Sequence, residues 1–165
     1  MRKERIQKEI TGWIPYILLI AGIYLLFHVV LFGGLVPSSS MAPTLSNRCI
    51  TLGMRFGYSL NRYDIVDFER ASKETKVTYV KRIIGLPGET IEIRSGTTYI
   101  DGEELDEPYL AEKPDDFNFG PYVIPDNSFF MMGDNRNHSN DSRYWAEHAV
   151  PRGNIEAKLF FRFNI

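Results

Sequence analysis

The sequence predicts a small, mainly β domain, a compact antiparallel β-sheet, behind one N-terminal transmembrane helix. Three observations predict it. Ile14–Phe32 (IPYILLIAGIYLLFHVVLF) contains no charged residue. From Asp64 onward, short runs of apolar and β-branched residues alternate with turns rich in Gly and Pro. No segment beyond the apolar run shows the 3.6-residue period of a soluble helix. The 165 residues fit one domain, and 44% hydrophobic with 24% charged residues is a globular composition. A net charge of −2 offers no basic surface for nucleic acid. The single cysteine, Cys49, excludes an intramolecular disulfide and any Cys-cluster metal site. His28, His138 and His148 lie far apart in the chain, so no metal or cofactor is expected.

Residues 1–13 form a short tail with Arg2, Lys3, Arg5 and Lys8 against Glu4 and Glu9. The positive-inside rule keeps such a tail in the cytoplasm. Residues 14–34 follow as the membrane helix; the nineteen residues of its apolar run Ile14–Phe32, at 1.5 Å each, span about 28 Å, close to the hydrocarbon core. A cleavable secretory signal would have a shorter apolar stretch followed by a small-residue cleavage motif, and no A-x-A follows Gly33-Gly34. Trp13 and Tyr16 suit the headgroup level, and Gly33-Gly34 are expected to break the helix. The tail holds four of the 19 basic and two of the 21 acidic residues, so 15 and 19 remain beyond it, a mildly acidic exported part.

Residues 35–165 form that extracytoplasmic part. Pro37 and Pro43 frame a Ser-rich loop. Asp64–Phe68 (DIVDF) is a short strand. Thr78–Ile84 alternates, with Tyr79, Lys81 and Ile83 on one face and Val80, Arg82 and Ile84 on the other. Thr90–Ile93 and Thr97–Ile100 can pair across Ser95-Gly96, and Asp101-Gly102 is a second hairpin signal. Glu103–Tyr122 reads as irregular. Ser128–Met132 (SFFMM) and Ala157–Phe163 (AKLFFRF) read as core strands.

Several segments hold residues capable of chemistry. In Ser38-Ser39-Ser40-Met41-Ala42-Pro43-Thr44 the serines would ordinarily just form a turn. Ser40, however, lies six residues beyond Gly34, within about 20 Å of the membrane surface. Lys81 sits mid-strand among apolar neighbours. A strand lysine is normally a solvated charge, but one facing inward loses basicity and can serve as a general base for a serine. Gly133-Asp134-Asn135-Arg136-Asn137-His138-Ser139-Asn140-Asp141-Ser142-Arg143 resembles a calcium loop only superficially, because Arg136 stands at a ligand position and the central glycine is missing.

Taken in order, the motifs S-x-S-M-x-P-T-L, Y-V-K-R-I-I-G-L-P-G-E and G-D-N-R-x-x-S-x-D-S-R resemble those of the type I signal peptidases, membrane-anchored Ser–Lys proteases. The likeness runs from the apolar helix nearly to the C-terminus. It implies a barrel-like β catalytic domain of the kind shared with self-cleaving repressors. It further implies that Ser40 is the nucleophile, Lys81 the general base and Ser38 a hydroxyl donor to the oxyanion. Ser139 would hydrogen-bond and orient the Lys81 amine. Asp141 and Arg143 would form a supporting ion pair, with Asp134 and Arg82 in the same network. The implied activity is removal of N-terminal signal peptides from exported preproteins, cleaving after small residues of the Ala-X-Ala type, at the plasma membrane. Implied partners are preprotein signal peptides and the lipid bilayer, with the export translocon as a further candidate, no nucleic acid, and a monomeric enzyme. Asn137-His138 departs from the family's usual residues, and His138 beside Ser139 raises a Ser–His alternative in which the lysine would be replaced. The stretch from Gly88 to Met132 is short, with room for little more than a hairpin. A binding paralogue without activity would lack Ser40 or Lys81, and a soluble repressor would lack the apolar helix. A general export peptidase and one restricted to a single client both remain open.

Overall fold

The structure, a computed structural model, describes residues 2–71 and 76–163, with the side chains of 2–10, 27, 28, 71 and 76 outside the description. His28 therefore lies outside the described side chains. Helix α1 spans Arg2–Leu25, followed by one π-helical turn at Leu26–Val30. Strand β1 then begins at Leu31 and runs to Val36. This differs from the expected helix over 14–34, and Gly33-Gly34 do not break a helix but lie within a strand. The reason is pairing. Strand β2 (Cys49–Met54) has a free edge, and β1 fills it in antiparallel register from Leu31↔Met54 to Val36↔Cys49. That satisfies backbone groups on both strands, which outweighs continuing an apolar helix through Val29, Val30 and two glycines. Among the described residues no helix is long and apolar enough to cross a membrane.

The remaining strands are β3 (Ile65–Ala71), β4 (Lys76–Gly85), β5 (Thr90–Arg94), β6 (Thr97–Ile100), β7 (Glu103–Glu104), β8 (Phe119–Val123), β9 (Ser128–Met132), β10 (Ala149–Pro151) and β11 (Ile155–Phe163). They form two antiparallel sheets. The larger has the order β1-β2-β11-β3-β4-β9-β10, and the smaller β7-β6-β5-β8. In this order the larger sheet keeps two ends, so among the described residues hydrogen bonding does not close it into a barrel.

The two expected turns are present for the expected reason. Ser95 and Gly96 have φ of 46° and 83°, and Asp101 and Gly102 have φ of 51° and 86°. Positive φ at both central residues matches the twist of the flanking strands. The turns pair Arg94 with Thr97 and Ile100 with Glu103. The segment after Gly88 is more than a hairpin, however. Phe119–Val123 joins as β8, pairing Ile91 with Tyr122. Pro121 hid this strand in the sequence; it is tolerated because β8 is an edge, where a missing N–H breaks no central ladder.

Strands β4 and β9 lie between two cores. Ile83, Phe129 and Met131 join Val66, Phe68, Trp145, Val150 and Ile155 in one cluster. Ile84, Phe130 and Met132 join Ile91, Ile93, Ile100 and Ile124 in the other. The strict alternation explains why all five residues of Ser128–Met132 are buried. Each fully buried Phe or Met contributes about 1.5–3 kcal/mol of transfer free energy. Lys81 and Arg82 sit on β4, whose neighbouring residues Ile83 and Ile84 are buried in these two cores.

Candidate active site

Strand β1 delivers the chain to the Ser-rich loop, and four buried side chains pin that loop: Val36, Met41, Leu45 and Cys49. Arg48 N–H donates to the Val36 carbonyl at 2.8 Å, Leu45 N–H to Met41 at 2.8 Å and Ala42 N–H to Ser39 at 3.0 Å. From the other side, the loop after β9 clamps the same backbone. Asn135 N–H donates to the Ser40 carbonyl at 3.0 Å, and Asn135 Nδ2 donates to the Ser39 carbonyl at 3.2 Å. Ser40 is thereby fixed by contacts far apart in sequence.

Lys81 faces this loop. It pairs in register with Val66 on β3 and is only 3% exposed. Its Nζ lies 2.5 Å from Ser40 Oγ. Burial lowers the Lys81 pKa from 10.5 to about 8, because an ammonium loses more hydration than a neutral amine. The Asp141 carboxylate opposes the fall, Arg143 assists it and Asp134 opposes it. The amine is therefore neutral in a large fraction of molecules near pH 8, and it lies within reach of the hydroxyl proton. Ser38 Oγ is 3.2 Å from Ser40 Oγ, so the second hydroxyl also stands beside the first.

Ser139, Asp141 and Arg143 form the support behind this pair. Ser139 Oγ donates to Asp141 Oδ2 at 2.7 Å. Arg143 Nε and Nη2 donate to the two oxygens of Asp141 at 2.8 and 2.9 Å, and Gly133 N–H donates to Oδ2 at 3.0 Å. Asp141 is completely buried, so removing one partner of this bidentate pair would cost about 3–5 kcal/mol by leaving the other charge uncompensated. The expected Ser139–Lys81 hydrogen bond is not formed among the described residues. Ser139 gives its hydroxyl proton to the Asp141 carboxylate, and the Lys81 amine is directed at Ser40 Oγ instead. Asp141 then acts on Lys81 through its field rather than through a direct bond. Gly133 is required here: a Cβ on it would lie 2.3 Å from Ser139 Oγ and 2.4 Å from the Ser40 carbonyl oxygen.

Arg82, on the opposite face of β4, donates from Nε and Nη2 to the Asp134 oxygens at 2.7 and 2.5 Å, and from Nη1 to the Tyr63 carbonyl at 2.8 Å. Its guanidinium carbon also lies 4.1 Å from the Tyr109 ring centroid. This second ion pair ties β4 to the loop that carries Asn135 and holds the loop at its distance from Lys81. All eight expected residues thus fall in one region: Ser38, Ser40 and Lys81 together, Ser139, Asp141 and Arg143 behind them, and Arg82 and Asp134 as a brace. The sequence singled out neither Asn135 nor Asp67. Asn135 sits inside a quoted motif, but its contact with residues 39 and 40 exists only in three dimensions. Asp67 carried a visible signal, an acid in the middle of an apolar strand. It lines, with Gly34, Leu35, Ser38, Thr78 and Lys81, a cleft of about 430 Å³ that opens beside the Ser40–Lys81 pair.

A buried amine of lowered basicity beside a serine hydroxyl held by its loop is an arrangement in which the amine can take the hydroxyl proton. The family model described as signal peptidase, peptidase S26, matches residues 10–164, and the chain belongs to that family. It is 39% identical over 159 residues to signal peptidase I S of Bacillus subtilis, an overlap covering 87% of this chain and 84% of that protein. It is 38% identical over 135 residues to a probable signal peptidase I-2 of Synechocystis, covering 78% of this chain and 61% of that one, so the match spans less than two thirds of that relative. The fold matches a crystal structure of a signal peptidase I from Enterococcus faecalis with a TM-score of 0.53 and 35% identity, over 62% of this chain and 98% of that one.

Proposed function

We propose that this protein is a membrane-bound serine endopeptidase that removes N-terminal signal peptides from exported preproteins, cleaving after small residues of the Ala-X-Ala type. The observation that carries it is the 2.5 Å contact between Lys81 Nζ and Ser40 Oγ, in a site where burial has lowered the lysine pKa to about 8. Neutral Lys81 takes the proton of Ser40 as its oxygen attacks the scissile carbonyl. The same proton then passes to the departing amine, and water releases the acyl chain. Ser38 Oγ and the Ser40 N–H are the donors for the oxyanion. Ser139, Asp141, Arg143, Arg82 and Asp134 hold the pair in position.

The membrane is the second partner in this account. Every described side chain from Thr11 to Leu26 is exposed, including Ile17, Leu18, Leu19, Ile20 and Ile23, an apolar surface that water would not tolerate at this size. Residues 1–13 lie on the cytoplasmic side, the apolar run of 14–34 engages the plasma membrane, and 35–165 lie outside. Leu35, Ile50 and Phe163 stand side by side in register on β1, β2 and β11, all exposed, and extend the apolar surface from the helix onto the sheet. A monomer held this way meets signal peptides, themselves apolar helices in the bilayer, at high effective concentration, at or near the export translocon. The test is incubation of the full-length protein, in liposomes, with a purified preprotein. One cut after an Ala-X-Ala sequence, read by mass spectrometry of both products, is the expected result. An intact preprotein, with the protease folded by circular dichroism, contradicts the reading.

A further inference from the structure

The cleft beside Ser40 and Lys81 is lined by the apolar residues Phe32, Leu35, Val36 and Val80 together with Ser38, Thr51 and Thr78. Asp67 adds a carboxyl to this lining. It stands on β3 between Ala157 on β11 and Val80 on β4, and it is 2% exposed. Its neighbours Val66 and Phe68 point the other way, into the core. Asp67 Oδ2 is buried and has no hydrogen-bond partner among the described residues. Thr51 Oγ1 donates to the Gly34 carbonyl at 3.3 Å and Arg55 Nε to the Leu31 carbonyl at 3.4 Å, so these two donors do not serve Asp67 Oδ2. Burial pushes the Asp67 carboxyl up to about 7, Glu156 adds to the rise and Arg55 opposes it. A buried acceptor left empty destabilises the fold, and an apolar residue would fit this wall at no such cost.

We propose that Asp67 is a specificity residue, accepting a hydrogen bond from an O–H or N–H donor side chain of the substrate close to the bond that Ser40 attacks. The inference rests on the peptidase reading of Ser40 and Lys81 and refines its substrate class. A purely apolar cleft separates Thr from Val poorly, because the two have the same shape. A cleft with an unpaired acceptor favours the donor, since the isostere leaves the carboxyl buried without a partner.

The test uses peptides around a cleavable bond, with Thr/Val, Ser/Ala and Lys/Met pairs placed in turn at the three positions on either side. Binding is measured to the full-length Ser40→Ala variant, and kcat/KM to the enzyme with Ser40 intact. At one position the donor is expected to win by roughly 10–100-fold. Thr/Val reports a hydroxyl and Lys/Met an ammonium as the group read. Asp67→Val should bring the ratio to about one, and Asp67→Asn, which keeps a carbonyl acceptor and the side-chain shape, should retain part of the hydroxyl preference. Equal binding within every pair, as when a water satisfies Asp67 and no substrate group displaces it, overturns the proposal. So does a preference that survives in Asp67→Val. Donor-selective binding without cleavage by the enzyme with Ser40 intact would overturn the peptidase reading and leave the role of Asp67 standing.

Discussion

Replacing Ser40 or Lys81 with alanine is expected to lower kcat/KM for a preprotein by roughly 10⁴–10⁶-fold, and the double variant should be no worse than either single one. The two groups act as one unit: without the amine the hydroxyl keeps its proton, and without the hydroxyl the amine has nothing to activate. Stability should behave differently from activity. The folded pKa of Lys81, about 8, lies below its ordinary value of 10.5. The folded protein therefore binds fewer protons than the unfolded chain between these values, and stability rises with pH across that window. Below pH 8 the buried amine costs the full amount, on the order of 3 kcal/mol. Lys81→Met, of similar length, should accordingly be inactive yet at least as stable at pH 7 as the native protein. Thermal melts beside steady-state kinetics check both halves. A variant at either position that cleaves at near-native rates would exclude the Ser–Lys mechanism.

Ser38→Ala is expected to reduce kcat by about 10²–10³-fold, or about 2.7–4 kcal/mol, with little change in KM. Ser38 is exposed and pins no core, so its loss should not loosen the loop that Val36 and Met41 anchor. Its Oγ already lies 3.2 Å from Ser40 Oγ, beside the hydroxyl that would attack the carbonyl. Donors placed for that charge act in the transition state more than in the ground state, hence the effect on kcat. Ser38→Thr keeps the hydroxyl and should recover part of the rate. Wild-type kcat in Ser38→Ala, or a change confined to KM, would remove Ser38 from the oxyanion site.

The parts of the fold that were legible in the sequence are those where one local signal decides the outcome. Thr78–Ile84 alternates strictly, and Ser95-Gly96 and Asp101-Gly102 can take the positive φ that their turns need. The parts that were not legible depend on a partner elsewhere in the chain. Leu31–Val36 reads as the end of an apolar helix until β2 offers it a ladder. Phe119–Val123 reads as irregular because of Pro121, and only its edge position allows it to be a strand. At the site, residue types and motif order point to Ser40 and Lys81, and the fold places them together across 41 residues of chain. Motif order cannot show that Ser139 turns to Asp141 while Lys81 turns to Ser40, because that choice depends on where the folded loop sets the three side chains. Nor can it show that Asn135 fastens the nucleophile's backbone or that Asp67 opens onto the cleft.

The central claim is that a neutral, buried Lys81 activates Ser40. Its most direct test is the pH dependence of kcat/KM for preprotein cleavage, measured where circular dichroism shows the protein folded. Only the unprotonated amine accepts the Ser40 proton, so the rate should climb about tenfold per pH unit on the acid side and level off above an apparent pKa of about 8. A profile that is flat across this range, or that keeps rising to the ordinary lysine value of 10.5, would contradict it.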